Sequence, residues 1–310
     1  MGKTALLFPG QASQYVGMGK DLYESSTRVR ELYLLASKEM DTDIARLSFE
    51  GPAEELKRTR YTQPAIMLHS LAVLTVLGDN LPAFDYACGH SLGEYAALAV
   101  TGSLTYEDAI KAVVKRASLM EEACVRNPGT MAAILGLDEK QIDQICRDSQ
   151  PEGIVVPANF NSQGQIAVSG SEEGVQAAVR RARESGARKA IVLEVGGAFH
   201  SPLMEPAKAG LETYLRGVTI SAPRCPVIAN VTARPVTDDE DIRRLLVEQV
   251  ISPVRWSQTM EFLVGEGVRT IMEIGPGKVL RGLAKRDMRP ESSIGLDTLA
   301  NIETFSGVAI

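Results

Sequence analysis

The sequence predicts an α/β protein built as a large domain with a parallel sheet core and a small βαββαβ domain inserted into it. Short apolar runs alternate with amphipathic helical stretches along the 310 residues, and that rhythm changes between about 128 and 196. A glycine-flanked serine at position 91 sits between an apolar run and an alanine-rich helical stretch, the context of a strand–turn–helix elbow. Hydrophobic residues at 45% and charged residues at 23% lie near the globular average, which excludes a disordered chain.

The elements follow in order. Residues 4–8 (TALLF) read as a strand, then a Gly-rich turn runs from Gly10 to Gly19. Residues 84–88 (FDYAC) read as a second strand, followed by a sharp turn and a helix from Glu94 to about Val100. MAAILGL (131–137) is a strand, and Asp138 with Gln141 has the spacing of a capping box that opens a helix. Residues 154–160 and 165–170 are strands joined by the turn Asn161-Ser162-Gln163-Gly164. A helix from Glu172 to Glu184 ends at Gly186, and AIVLEV (190–195) closes the unit. This order is the ferredoxin-like signature, whose first and last strands are neighbours, so the unit can be inserted into a host domain. The expected boundaries are 1–127 and 197–310 for the large domain and 128–196 for the small one. Further apolar runs end at Asn230–Thr232 and at Thr270–Glu273, the latter breaking into Gly275-Pro276-Gly277 before another helix.

Composition narrows the function. A net charge of −6 argues against broad nucleic-acid binding, which needs a basic footprint. Apolar stretches such as Tyr95 to Val100 are too short to span a bilayer, so no membrane association is expected. No charged segment precedes a long apolar run at the start, and Leu6 stands where a myristoylation signal needs Ser or Thr. Cys88, Cys124, Cys146 and Cys225 are scattered without a C-x-x-C pair, which suits reduced thiols in a cytoplasm. With three histidines and no Cys cluster, no metal site is expected.

Gly89-His90-Ser91-Leu92-Gly93 matches G-x-S-x-G. The turn needs small residues at both ends, because bulk two residues from the nucleophile collides with neighbouring backbone. The large domain is therefore expected to be hydrolase-like. A Gly-rich turn with a capping serine would give the same five letters. A serine hydroxyl needs a base. His90 adjoins the serine and should point away from the elbow, and His69 in MLHSLAVL reads as a packing residue. That leaves His200 in GAFHSP, where the small domain returns to the host just before a helix begun by Ser201 and Pro202. A hinge histidine without chemistry is the alternative.

The segments FPGQASQ (8–14), GHSLGEY (89–95), ANFNSQGQIAVSG (158–170), GAFHSPLM (197–204), QVISPVRW (249–256) and EIGPGKVLRGL (273–283) together resemble the malonyl-CoA:acyl carrier protein transacylase family, in family order and over nearly the whole chain. The resemblance implies a ping-pong acyl transfer from malonyl-CoA, a substrate rather than a bound cofactor, to the phosphopantetheine thiol of a holo acyl carrier protein. It implies Ser91 as nucleophile, His200 as base, and the backbone carbonyl of Gln249 in the third triad position. It further implies the N–H groups of Gln11 and Leu92 as the oxyanion hole, Arg116 as the clamp on the malonyl carboxylate, and His90, Phe199 and Met120 as substrate-binding residues. Phe199 resembles the malonyl-selective form, because a bulky ring crowds an α-methyl group. A guanidinium suits the clamp because it returns two charge-assisted hydrogen bonds to a desolvated carboxylate. Three positions depart from the family pattern: Ala12 and Ala117 replace glycines, and Gln163 replaces a common proline.

Acyl carrier proteins are acidic, so docking should use cations. Lys278, Arg281, Lys285 and Arg286 form one candidate face, and Arg180, Arg181, Arg183, Arg188 and Lys189 another. The chain is expected to act as a cytoplasmic monomer, in fatty-acid or polyketide synthesis. Competing readings are a serine hydrolase, an editing acyl hydrolase for carrier proteins, and a non-catalytic carrier-protein binder.

Overall fold

Among residues 2–307, which the computed structural model describes, ten strands form two sheets. The larger contains β1 (Lys3–Phe8), β2 (Tyr86–Gly89), β7 (Val227–Ala229), β8 (Arg234–Val236), β9 (Val268–Ile274) and β10 (Ser292–Leu296), in the order β10-β9-β1-β2-β7-β8. All neighbours run parallel except β7 and β8. A parallel sheet is covered on both faces, and alternation along β1 divides its side chains accordingly. Leu6 and Phe8 enter the core shared with the helices Thr59–Leu77 and Tyr106–Arg126. Ala5 and Leu7 face a second core with Trp256, Met260 and Leu280.

The smaller sheet comes wholly from residues 130–192: β3 (Thr130–Leu135), β4 (Val155–Ser162), β5 (Gln165–Gly170) and β6 (Lys189–Val192). Its order is β4-β5-β3-β6, antiparallel throughout, which is the ferredoxin-like arrangement with first and last strands paired. The helices Glu139–Ser149 and Glu172–Glu184 close its core, where Ile142 and Val175 meet Ile134, Val155 and Val168. The Asp138–Gln141 capping box is formed in both directions, and Ser171 caps the second helix. The α/β class, with a parallel sheet core and a separate antiparallel sheet, is the one the sequence predicts.

Three local expectations are corrected. β4 continues through Ser162, so only Gln163 and Gly164 make the hairpin turn. β6 stops at Val192: Leu193 N–H still donates to Met131 O, but Val195 N–H turns back to Leu193 O and bends the chain. After Ser201 a single 3-10 turn, Pro202–Met204, comes before the helix Glu205–Leu215.

Backbone ties β4 of the smaller sheet to Val254, whose side chain packs in the second core beneath the larger sheet. Phe160 N–H donates to Val254 O and Val254 N–H donates to Ala158 O, each at 2.9 Å. The four thiols are unpaired; Cys88 and Cys146 are buried and Cys124 and Cys225 half-buried. Burial pushes every one of them up, Cys124 and Cys225 to about 11 and Cys146 to about 12. No described helix is long and apolar enough to cross a membrane.

Candidate active site

Ligands of open parallel sheets gather where the strands end at their carboxyl termini. Here β1 runs into Pro9-Gly10-Gln11, β2 into His90-Ser91, β7 into Asn230 and β9 into Gly275. The elbow after β2 is held from several sides. His90 N–H donates to Phe8 O at 2.9 Å, Ser91 N–H to Asn230 Oδ1 at 2.7 Å, and Asn230 Nδ2 to Gly89 O at 2.7 Å. Ser91 has a φ of 53°, the left-handed region that side chains avoid. A Cβ on Gly89 would collide with the Gly93 carbonyl, and one on Gly93 with the Phe8 carbonyl. Those collisions are why both ends of the motif are glycine.

His200 Nε2 lies 2.9 Å from Ser91 Oγ, and His200 Nδ1 lies 2.8 Å from the backbone carbonyl of Gln249. A carbonyl only accepts, so Nδ1 carries the proton and Nε2 is left to accept from the Ser91 hydroxyl. His200 has a φ of 57°, and the following Ser201 closes its own turn by donating to Ala198 O. Burial first, and the Arg116 charge second, lower the His200 pKa to about 3, so the imidazole is neutral at ordinary pH.

Arg116 lies on the helix Tyr106–Arg126 and is 1% exposed, yet among the described residues no carboxylate pairs with it directly. It donates to Gln63 Oε1 at 2.5 Å, and one of its terminal nitrogens reaches both Ser91 Oγ and Gln249 Oε1 at 2.9 Å. The Gln249 side chain continues the network, donating to Ser91 O at 3.1 Å and to Glu94 Oε2 at 2.8 Å. Glu94 is 2% exposed and also accepts from Asn230 N–H at 3.0 Å. Burial pushes its carboxyl up to about 7, against those hydrogen bonds and the Arg116 charge.

A cavity of about 310 Å³ opens over these groups between the two sheets. Gln11, His90, Ser91, Met120, Phe199 and His200 line it, with Met131, Asn159 and Leu193 across from them. Among the described residues, no hydrogen bond uses the Gln11 or Leu92 N–H, and Leu92 stands at the N-cap of the helix Gly93–Val100. Ala12 has a φ of 77°, so the first loop holds an alanine in the conformation that glycine adopts freely. Contrary to expectation, His90 does not turn away. Its Nε2 meets Asn161 Oδ1 on β4 at 2.9 Å and its ring lies 5.6 Å from Trp256, so the contact across the cleft draws it in. His69 is wholly buried and meets the carbonyl and carboxylate of Asp297, a packing position.

Sequence reasoning missed four participants. Gln63, Asn230 and Asn161 are ordinary amides in sequence; only the polar Gln63 within a buried apolar helix gave a signal. Glu94 was visible as an acid directly after the elbow, in a helix whose every residue is buried.

Both basic faces are partly paired. Arg180 and Arg181 share Glu152 and Arg183 donates to Ala190 O, whereas Arg188 and Lys189 have no ion pair among the described residues. On the other face Arg281 meets Glu273 and Arg286 meets Gln165, whereas Lys278 and Lys285 have no ion pair among the described residues.

The Acyl transferase domain family matches residues 5–300. The chain belongs to that family. A malonyl CoA-acyl carrier protein transacylase of Bacillus subtilis is 44% identical over 304 residues, covering 98% of this chain and 96% of its own length. One from Staphylococcus aureus is 40% identical over 307 residues, with 99% of each covered. Among solved structures, an acyl carrier protein S-malonyltransferase from Vibrio cholerae superposes with a TM-score of 0.92 at 38% identity, covering 97% of this chain and 99% of that one. A malonyl-transacylase solved in complex with its type II polyketide synthase acyl carrier protein gives 0.93 at 38% identity, over 98% of this acyl transferase and 99% of that chain.

Proposed function

We propose that this acyl transferase moves the malonyl group from malonyl-CoA to the phosphopantetheine thiol of a holo acyl carrier protein through a Ser91 acyl-enzyme. The observation that carries the reading is one continuous line, Ser91 Oγ to His200 to the Gln249 carbonyl, with the Arg116 guanidinium 2.9 Å from the same Oγ. His200 Nε2 takes the hydroxyl proton as Oγ attacks the thioester carbon. The resulting oxyanion faces the Gln11 and Leu92 N–H groups. Collapse expels coenzyme A, whose sulfur takes the proton back from Nε2. The carrier protein's thiol then repeats the sequence in reverse, giving its proton to Nε2 and the proton returning to Ser91. Arg116 holds the malonyl carboxylate, and that negative charge offsets the guanidinium charge that disfavours an imidazolium at His200.

Residues 128–196 act as a small domain over the site, with 1–127 and 197–310 forming the catalytic domain. Coenzyme A enters as a thioester substrate, no resident cofactor is required, and the chain works as a cytoplasmic monomer in fatty-acid or polyketide synthesis. A serine hydrolase would share Ser91 and His200 but has no need of a buried arginine aimed at the nucleophile.

Intact-protein mass after brief mixing with malonyl-CoA tests this directly. A malonyl adduct is expected, is discharged by holo acyl carrier protein, and is absent in Ser91→Ala. Rapid release of free malonate without transfer would establish the hydrolase instead. Arg116→Ala is expected to cost malonyl transfer at least about a hundredfold while sparing acetyl transfer, since the lost charge-assisted contacts belong to the carboxylate alone.

A further inference from the structure

The buried charges around Ser91 are arranged in a line. The Arg116 guanidinium donates to Gln249 Oε1 at 2.9 Å, and the other end of that amide donates to Glu94 Oε2 at 2.8 Å. Each charge is 2% exposed or less, and each is otherwise held by neutral groups: Gln63 and Ser91 for the arginine, Asn230 N–H for the acid. With the acid ionised the free site is therefore neutral overall, one cation and one anion at opposite ends of a single glutamine side chain.

Resting on the transferase reading above, we infer that Glu94 is the charge-compensating residue of this site, its carboxylate taking up one proton from solvent when a carboxylate-bearing acyl group settles on Arg116. A malonyl carboxylate adds a second anion to a region from which water is excluded. Uncompensated charge is costly there, because low polarizability strengthens the repulsion and denies the ions their hydration. Arginine does not give up its proton in proteins, and the incoming carboxylate is held ionised by the guanidinium. Glu94 is the acid positioned to absorb the change. It acts on the substrate only through Gln249 and Arg116, so it is a positioning residue.

The surroundings allow this. The helix Gly93–Val100 packs on β1, β2, β7 and the helices Thr59–Leu77 and Tyr106–Arg126. Among the described residues of these elements, Arg116 is the charge that acts on Glu94. Cys88 on β2 and Tyr95 on the same helix feel the carboxylate, but burial keeps both protonated. With the carboxyl poised at about 7, a second anion nearby suffices to fill it near neutral pH.

The test counts protons. Enzyme in dilute buffer with a pH indicator is mixed with malonyl-CoA, and the acyl-enzyme in the same sample is measured by mass. Uptake of about half a proton per malonyl-enzyme is expected at about pH 7, less at about pH 6 and more at about pH 8. Acetyl-CoA loading of the same enzyme should take up none, which subtracts any ionisation of the released thiol. Glu94→Gln, which keeps an acceptor for Asn230 N–H, should still form the malonyl adduct with uptake abolished. Adduct without proton uptake in the unmodified enzyme overturns the inference and leaves the transferase reading standing. Uptake persisting in Glu94→Gln puts the proton on His200 and overturns it as well, and absence of any adduct overturns both. Should the variant not fold, a protonated-carboxyl band in the infrared difference spectrum of the malonylated native enzyme gives the same decision.

Discussion

Ser91, His200 and Ala12 sit at φ values of 53°, 57° and 77°, so the two side chains to which the proposed reaction assigns the chemistry, and the first loop beside them, all store backbone strain. For Ser91 and His200 that strain turns the side chain into the cleft, where the elbow and the Gln249 carbonyl hold it. Ala12 does no such turning. A left-handed conformation costs a non-glycine residue about 1–2 kcal/mol, while glycine loses about 0.4–1 kcal/mol through the greater freedom of the unfolded chain. Relief exceeds the entropy term, so Ala12→Gly should stabilise by about 0.5–1 kcal/mol, seen as a higher urea midpoint at unchanged slope. The depressed basicity of His200 makes a second prediction. Its ordinary value is 6.5, and in the fold it is lowered to about 3. Imidazole protonation therefore should not reduce kcat/KM for malonyl loading between about pH 8 and about pH 5, where an exposed histidine would lose most of its base form. An acid limb centred on the ordinary value would mean that His200 titrates as if in water.

At the scale of elements, the elbow depends on absent side chains. Gly93→Ala drives a methyl into the Phe8 carbonyl at the end of β1, which cannot retreat because it already accepts from His90 N–H. Overpacking against backbone of this kind should cost about 3 kcal/mol or prevent folding, measured by denaturant unfolding. By contrast, Asp138→Ala removes a surface cap of the helix Glu139–Ser149 and should cost only about 1 kcal/mol with acyl transfer unchanged. Both features were readable in sequence, because glycines at fixed spacing and a capping box are local signals. The same locality explains what was not readable. Asn230 and Gln63 reach the site from 139 and 53 residues away from the groups they bind, Ser91 and Arg116; the chain around Asn230 carries no mark of this, and a polar Gln63 in an apolar helix marks burial without naming its partner. The inward turn of His90 was misjudged for the same reason: its partner Asn161 lies on the other sheet, 71 residues along.

For the whole molecule, the carrier-protein reading needs a cationic docking face, and each candidate face keeps two cations without an ion pair among the described residues: Lys278 and Lys285 on one, Arg188 and Lys189 on the other. Position favours the first, because Val279, Leu280 and Leu283 of its helix line the cavity and no residue of 180–189 does. Lys285→Glu should slow transfer to the carrier protein about tenfold at low salt and flatten its ionic-strength dependence, with malonyl loading from coenzyme A unaffected. Arg180→Glu should do little to either half-reaction; the reverse pattern would move docking to the small sheet. The state of the four cysteines carries one last consequence. In the reaction proposed above, an acyl ester on Ser91 is surrendered to a thiol, and any thiolate within the molecule would be a rival acceptor. Burial holds Cys124, Cys146 and Cys225 at about 11 to about 12 and Cys88 higher still. At neutral pH the protein thus offers its cargo almost no reactive sulfur of its own, and the acyl group waits for a visiting thiol instead of leaking into the fold that carries it.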